Sequence, residues 1–152
     1  MTTEPSSTQT VHIQRVLSVP PERVWQAITS PAELSKWLAP TEVIAGKGGK
    51  VSVFFDDDEN VRDGEILIWD EPRTLEYQWI FVGELPSVLR FDLAPHPQGT
   101  LLTLQHRLLP TRLSGGYEYG WQAYLDRLEG HFRQVIPDFW ERYQHWQGQA
   151  NC

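Results

Sequence analysis

The stretch from Val11 to Pro40, VHIQRVLSVPPERVWQAITSPAELSKWLAP, changes its hydrophobic period twice. In VHIQRVLSV, Val11, Ile13, Leu17 and Val19 fall on one face, the period-two pattern of a half-buried strand. Arg15 interrupts that apolar face. PPERVWQAIT follows, where Pro21 suits a first helical turn and Glu22 is favourable at a helix N-terminus. Val24, Trp25 and Ile28 form its apolar stripe. Ser30 then stands before Pro31 as an N-cap, with Glu33 at capping-box spacing, so PAELSKWL reads as a second short helix ending before Pro40.

Downstream the texture turns to strands. KVSVFF alternates, DDDENVRDG reads as a turn or hairpin tip, and EILIW resumes. After DEPRT, the segment LEYQWIFV puts Leu75, Tyr77, Trp79 and Phe81 on one face. After VGELPS, VLRFDLA groups Leu89, Phe91 and Leu93, and after HPQG, TLLTLQHRL groups Leu102, Leu104, His106 and Leu108. Short strands joined by tight turns make an antiparallel meander rather than βαβ units.

The last third is helical. In GGYEYGWQAYLDRLEGHF (Gly115–Phe132) and beyond, Trp121, Leu125, Leu128, Phe132 and Val135 recur as one stripe. Gly115 and Gly116 read as a flexible entry. Gly120, costing about 1 kcal/mol relative to alanine in a helix interior, belongs near the first turn or at a close approach. Pro137 interrupts the helix, and Asp138 to Trp146 restarts it. Residues 1–10 read as a disordered polar lead-in, 11–147 as a single domain and 148–152 as a tail. A long amphipathic helix needs the sheet to curl around it. The predicted fold is α+β: a curved antiparallel sheet of about six strands wrapped around a long C-terminal helix, the helix-grip arrangement.

At 152 residues the chain fits one domain and buries roughly 70% of its unfolded surface, enough for a core without staples. Seven tryptophans point to a bulky interior or an aromatic-walled cavity. The net charge of −7, without any Lys/Arg block, argues against nucleic acid and against an anionic membrane surface. Cys152 is the one cysteine, so no internal disulfide forms. MTTEPSSTQT lacks the apolar core of a signal peptide, and no run of about 18 apolar residues spans a membrane. The expected setting is the cytoplasm.

The opening stretch resembles that of the family of homologues of the activator of heat-shock-chaperone ATPase, within the START-like (SRPBCC) helix-grip superfamily. The matching residues are Val19, Pro20, Val24, Trp25, Pro31, Leu34, Trp37 and Pro40. Gly64, Pro72, Leu75 and Trp79 continue the match. Gly99-Thr100 leading to His106, then Gly120-Trp121 with Leu125 and Leu128, extend it from about Val11 to Phe132. The resemblance implies a cavity between sheet and long helix, in a superfamily that often binds apolar small molecules. It implies no catalytic set. In the eukaryotic chaperone activators this domain follows a separate N-terminal domain that carries much of the chaperone contact, whereas only a short polar lead-in stands here.

The cavity candidates are Trp37, Trp69, Tyr77, Trp79, Phe91 and Trp121, with His106, Leu125, Leu128 and Arg15 beside them. The aromatic set either walls a pocket or fills the core solidly. Arg15 either anchors an acidic ligand group or pairs with a neighbouring glutamate or solvent, because an unpaired buried guanidinium costs several kcal/mol. His106 is either a hydrogen-bonded core residue or, with Tyr77 or Glu65, an acid–base pair. The histidines show no zinc spacing, and Asp56–Glu59 lacks the alternation of a calcium loop. GKGGK lacks Walker spacing, and no G-x-S-x-G elbow occurs. No metal and no cofactor are therefore expected. Three functions remain: a non-enzymatic binder of a small apolar or amphipathic molecule, a cofactor stimulating a heat-shock ATPase, and a cyclase- or isomerase-type enzyme. The oligomeric state is left open.

Overall fold

A computed structural model describes residues 7–150. The strand β1 (Thr8–Leu17) is followed by the helices α1 (Pro21–Thr29) and α2 (Pro31–Trp37). Then come β2 (Thr41–Ile44), β3 (Lys50–Phe54), β4 (Asn60–Asp70), β5 (Thr74–Trp79), β6 (Ser87–His96) and β7 (Gly99–Pro110). The chain closes with α3 (Thr111–Arg133) and α4 (Phe139–Ala150). The strands form one antiparallel sheet in the order β1-β7-β6-β5-β4-β3-β2. The seventh strand, β2, comes from TEVI, a run too short to announce itself by alternation.

Cross-strand register explains the core. Ile13 faces Leu104, Leu104 faces Phe91, and Phe91 faces Leu75, so one row of apolar side chains crosses four strands. A parallel row joins Val11, His106, Leu89 and Tyr77. All eight are buried. Against this concave face lies α3, presenting Trp121, Leu125 and Leu128, which are 3%, 0% and 0% exposed. The short helices cover the other end of the sheet, where Ile28 and Leu34 pack with Val51, Val53 and Trp69.

Several local expectations change. β1 begins at Thr8, so three residues of the expected lead-in are strand, while 1–6 lie outside the described residues. Ser30 occupies the N-cap position of α2 but makes no side-chain cap bond. Glu33 instead accepts from Arg23 at 2.6 Å and contacts His131 at 2.8 Å. Burial pushes the Glu33 carboxyl up, but the hydrogen bonds from His131 and Arg23 outweigh it and hold the pKa below its ordinary value. Leu108, expected inward, is 54% exposed, because it adopts a left-handed φ of 62° and hands its inward place to Leu109.

The long helix starts at Thr111, so Gly115, Gly116 and Gly120 lie inside it rather than at its entry. It ends before Pro137 is reached, in a Schellman turn. Gln134 takes a left-handed φ of 63°, Val135 N–H bonds Gly130 O at 2.9 Å, and Gln134 N–H bonds His131 O at 3.2 Å. A Cβ at Gly130 would collide with the Val135 carbonyl, so glycine lets the chain double back there. Val135 leaves the stripe and is 75% exposed. α4 then runs beyond Trp146 to Ala150, so the expected tail is helical as far as it is described, while 151–152 lie outside the described residues.

Candidate functional site

Space remains at one end of the grip. Beside the sheet-facing stripe of Tyr117, Trp121, Leu125 and Leu128, α3 carries Gly116 and Gly120, one helical turn apart, and these border open space rather than the sheet. A Cβ at Gly120 would meet no atom within 4 Å. One at Gly116 would meet only the Tyr143 hydroxyl, at 3.7 Å. The resulting open cleft measures about 720 Å³. Its walls come from the end of α2 (Ser35, with Leu38–Pro40 after it), the β3–β4 hairpin (Phe55, Asp56, Glu59) and the end of β5 (Trp79, Phe81). α3 contributes Leu113, Tyr117, Trp121, Tyr124 and Arg127, and α4 contributes Phe139, Trp140 and Tyr143, with Asp138 before it. Glu84 closes the rim from the β5–β6 loop.

The back wall is rigid. Trp79 and Trp121 meet edge to face at 5.4 Å, and each indole is tied from behind. Trp121 Nε1 donates to His106 Nδ1 at 3.0 Å. An indole only donates, so Nδ1 accepts and the His106 proton sits on Nε2, which donates to Ser87 Oγ at 2.7 Å. Burial pushes the His106 pKa down to about 3, so the ring is neutral. Trp79 Nε1 donates to Tyr117 Oη at 3.1 Å, and Tyr117 donates to Glu84 Oε1 at 2.7 Å. Burial, then the Glu84 carboxylate, push the Tyr117 pKa up, so the phenol keeps its proton.

The front wall is α4, held at both ends. Asp126 on α3 accepts from Arg142 Nε and Trp146 Nε1, each at 2.7 Å. At the helix entry, Arg127 donates to the carbonyls of Pro137 (2.6 Å), Trp37 (3.0 Å) and Lys36 (3.2 Å). Between these anchors Phe139 packs on Tyr124 at 4.4 Å, while Trp140 is 63% exposed beside the cleft.

Of the sequence-derived candidates, only Trp79 and Trp121 line this space. Phe91, His106, Leu125 and Leu128 are sealed behind them in the core. Trp37 is buried with its Nε1 donating to Ala27 O at 2.9 Å. Trp69 and Tyr77 border a separate void of about 10 Å³ under the short helices, too small for a ligand. Arg15 does point to the concave side, but it pairs with Asp126 (3.0 Å) and Glu129 (2.9 Å) and stacks over Trp146. It anchors helices rather than a ligand. Glu65 is exposed while His106 is 0% exposed, so that acid–base pair does not form. Sequence reasoning missed Gly116, Tyr117, Gly120, Tyr124 and the α4 aromatics. The one available signal was the glycine pair at helical spacing among tyrosines. Among the described residues, no group of three or more His, Cys, Asp or Glu side chains is placed to hold a metal ion, and no helix is long and apolar enough to cross a membrane.

A curved antiparallel sheet gripping a long C-terminal helix, with a cleft left beside that helix, defines a helix-grip domain. The chain belongs to the family described as "Activator of Hsp90 ATPase homolog 1-like protein", whose model matches residues 18–133. Among solved structures, MLL2253 from Mesorhizobium loti is similar at 28% identity and TM-score 0.78, covering 85% of this chain and all of that one. A Bordetella parapertussis protein is 23% identical with TM-score 0.75, covering 99% of this chain and 94% of its own. CalU16 from Micromonospora echinospora is 22% identical with TM-score 0.68, covering 95% and 88% respectively, and shares the fold. No curated protein matches the chain.

Proposed function

We propose that this protein is a non-enzymatic binder of a small apolar or amphipathic molecule, held in the cleft between α3, α4 and the β3–β5 end of the sheet. The observation that carries the reading is the aromatic-walled cleft of about 720 Å³, into which Gly116 and Gly120 put no side chain. That volume lies within the range of roughly 300–1,000 Å³ common for small-molecule sites. Each glycine costs about 1 kcal/mol of helix propensity, a cost that cleft-forming space makes intelligible. An acid–base mechanism on His106 has no support, because a neutral, sealed imidazole reaches no substrate.

The test is a thermal-shift and native mass spectrometry screen with lipids and aromatic metabolites, run on the wild type and Gly120→Leu. At least one compound is expected to stabilise the wild type by several degrees. Gly120→Leu, which projects into the cleft, is expected to lose that response while keeping or raising its own melting temperature. If no compound binds, or if both proteins respond alike, the reading is wrong.

Family membership supports a second reading, stimulation of a heat-shock ATPase through surface contacts. It predicts faster ATP hydrolysis by the cognate chaperone on adding this protein. No change at saturating protein removes it.

A further inference from the structure

We propose that the cleft selects an amphipathic organic cation: an amine or quaternary ammonium carried on an aromatic or aliphatic body. This deepens, and rests on, the reading of the cleft as a ligand site.

The polar groups of the lining decide the charge. Four carboxylates, Asp56, Glu59, Glu84 and Asp138, face one cation, Arg127. Three of its five N–H donors are already used, on the carbonyls of Trp37, Pro137 and Lys36. A ligand carboxylate or phosphate would therefore enter among four like charges and meet one guanidinium with most of its donors taken. Desolvating a poorly paired anion there is strongly unfavourable.

The neutral groups point the same way. The indole N–H groups of Trp79 and Trp121 are directed at Tyr117 and His106, so these rings offer the cleft π surface rather than donors. Ring faces attract cations. Asp56 and Asp138 are partly occupied, accepting backbone N–H bonds that hold the hairpin turn and the start of α4. Glu84 is different. Among the described residues, Tyr117 is the one side chain that donates to it, through a single carboxylate oxygen. Burial is the largest cause of the raised Tyr124 pKa; the Arg127 charge opposes it, and the nearby Glu59 charge adds to it. Glu84 and Glu59 both border the cleft that Trp79, Phe81 and Tyr124 wall. An ammonium in this cleft meets carboxylates and ring faces, while its apolar body runs along Gly116 and Gly120. The chain's net charge of −7 steers cations toward it.

The experiment uses three probes that share one apolar body and differ in charge: 1-naphthylmethylamine, 1-naphthalenemethanol and 1-naphthoate. Each is titrated into the full chain at pH 7 by calorimetry, at low and high salt. The amine is expected to bind about tenfold tighter than the alcohol and the naphthoate weakest, with added salt eroding only the amine's advantage. The double variant Glu59→Gln/Glu84→Gln is expected to collapse the ratio of amine to alcohol affinity. Naphthoate binding as tightly as the amine, or an unchanged ratio in the folded double variant, overturns the charge assignment. If amine and alcohol bind equally, the cleft reading survives and the cation assignment falls. If no probe binds, both fall. Should the variant not fold, the wild-type ranking of the three probes decides alone.

Discussion

The grip has a filled half and an open half, set by two neighbouring stripes of α3. From Trp121 to Leu128 the inward residues are large, each at most 3% exposed, and the space between helix and sheet is filled. On the neighbouring stripe, Gly116 and Gly120, with Tyr124 and Arg127, border the open cleft. Both stripes belong to one continuous helix. Side-chain volume at a few helical positions therefore determines whether this grip is a core or a container. Trp121 belongs to both regions, with one face toward Tyr124 and the cleft and its indole N–H toward His106.

If the contrast is right, substitutions should separate along it. Leu125→Ala empties the filled half and is expected to cost about 2–5 kcal/mol in denaturant unfolding, without creating a new response to cleft ligands. His106→Asn tests the wall between the halves. The native ring, with its pKa near 3, binds no proton at mildly acid pH, whereas an unfolded histidine does below about pH 6.5. Its contribution to stability is complete above about pH 6.5 and is lost as pH falls toward 3, with a slope of up to ~1.4 kcal/mol per pH unit. Unfolding free energies between pH 6.5 and 5 should show that slope in the wild type. The asparagine variant should start about 1–3 kcal/mol less stable and follow a flatter line. Equal slopes would mean that His106 is not held neutral. Gly120→Ala should show the smallest effect, a gain of about 0.5–1 kcal/mol in thermal unfolding, because alanine improves helix propensity and its Cβ meets open space. A loss would mean that the space beside Gly120 is occupied.

The fold was legible because its signals are local. Alternation along β5, β6 and β7 and the spacing of Trp121, Leu125 and Leu128 are read within single elements. The cleft was not, because it depends on what does not touch. Gly115 and Gly116 read as the entry to the helix until α3 is seen to begin at Thr111, before them. The left-handed Leu108 reverses the inward phase at the end of β7 with no mark in the residue type. The placement of α4 follows from Asp126 and Arg127, which reach residues 10 to 20 positions further along the chain. Arg15 shows the same limit: its inward position was readable, but its partners on α3 were not.

The central claim is that ligand occupies the open half and leaves the filled half untouched. Seven tryptophans, spread over both, make the indole N–H region of a ¹H–¹⁵N NMR spectrum a direct reporter. On titration with 1-naphthalenemethanol, the resonances of Trp79, Trp121 and Trp140 should shift, while those of Trp25, Trp37 and Trp69 stay in place. Shifts centred on Trp37 and Trp69, or no saturable shift at the cleft tryptophans, would contradict the account.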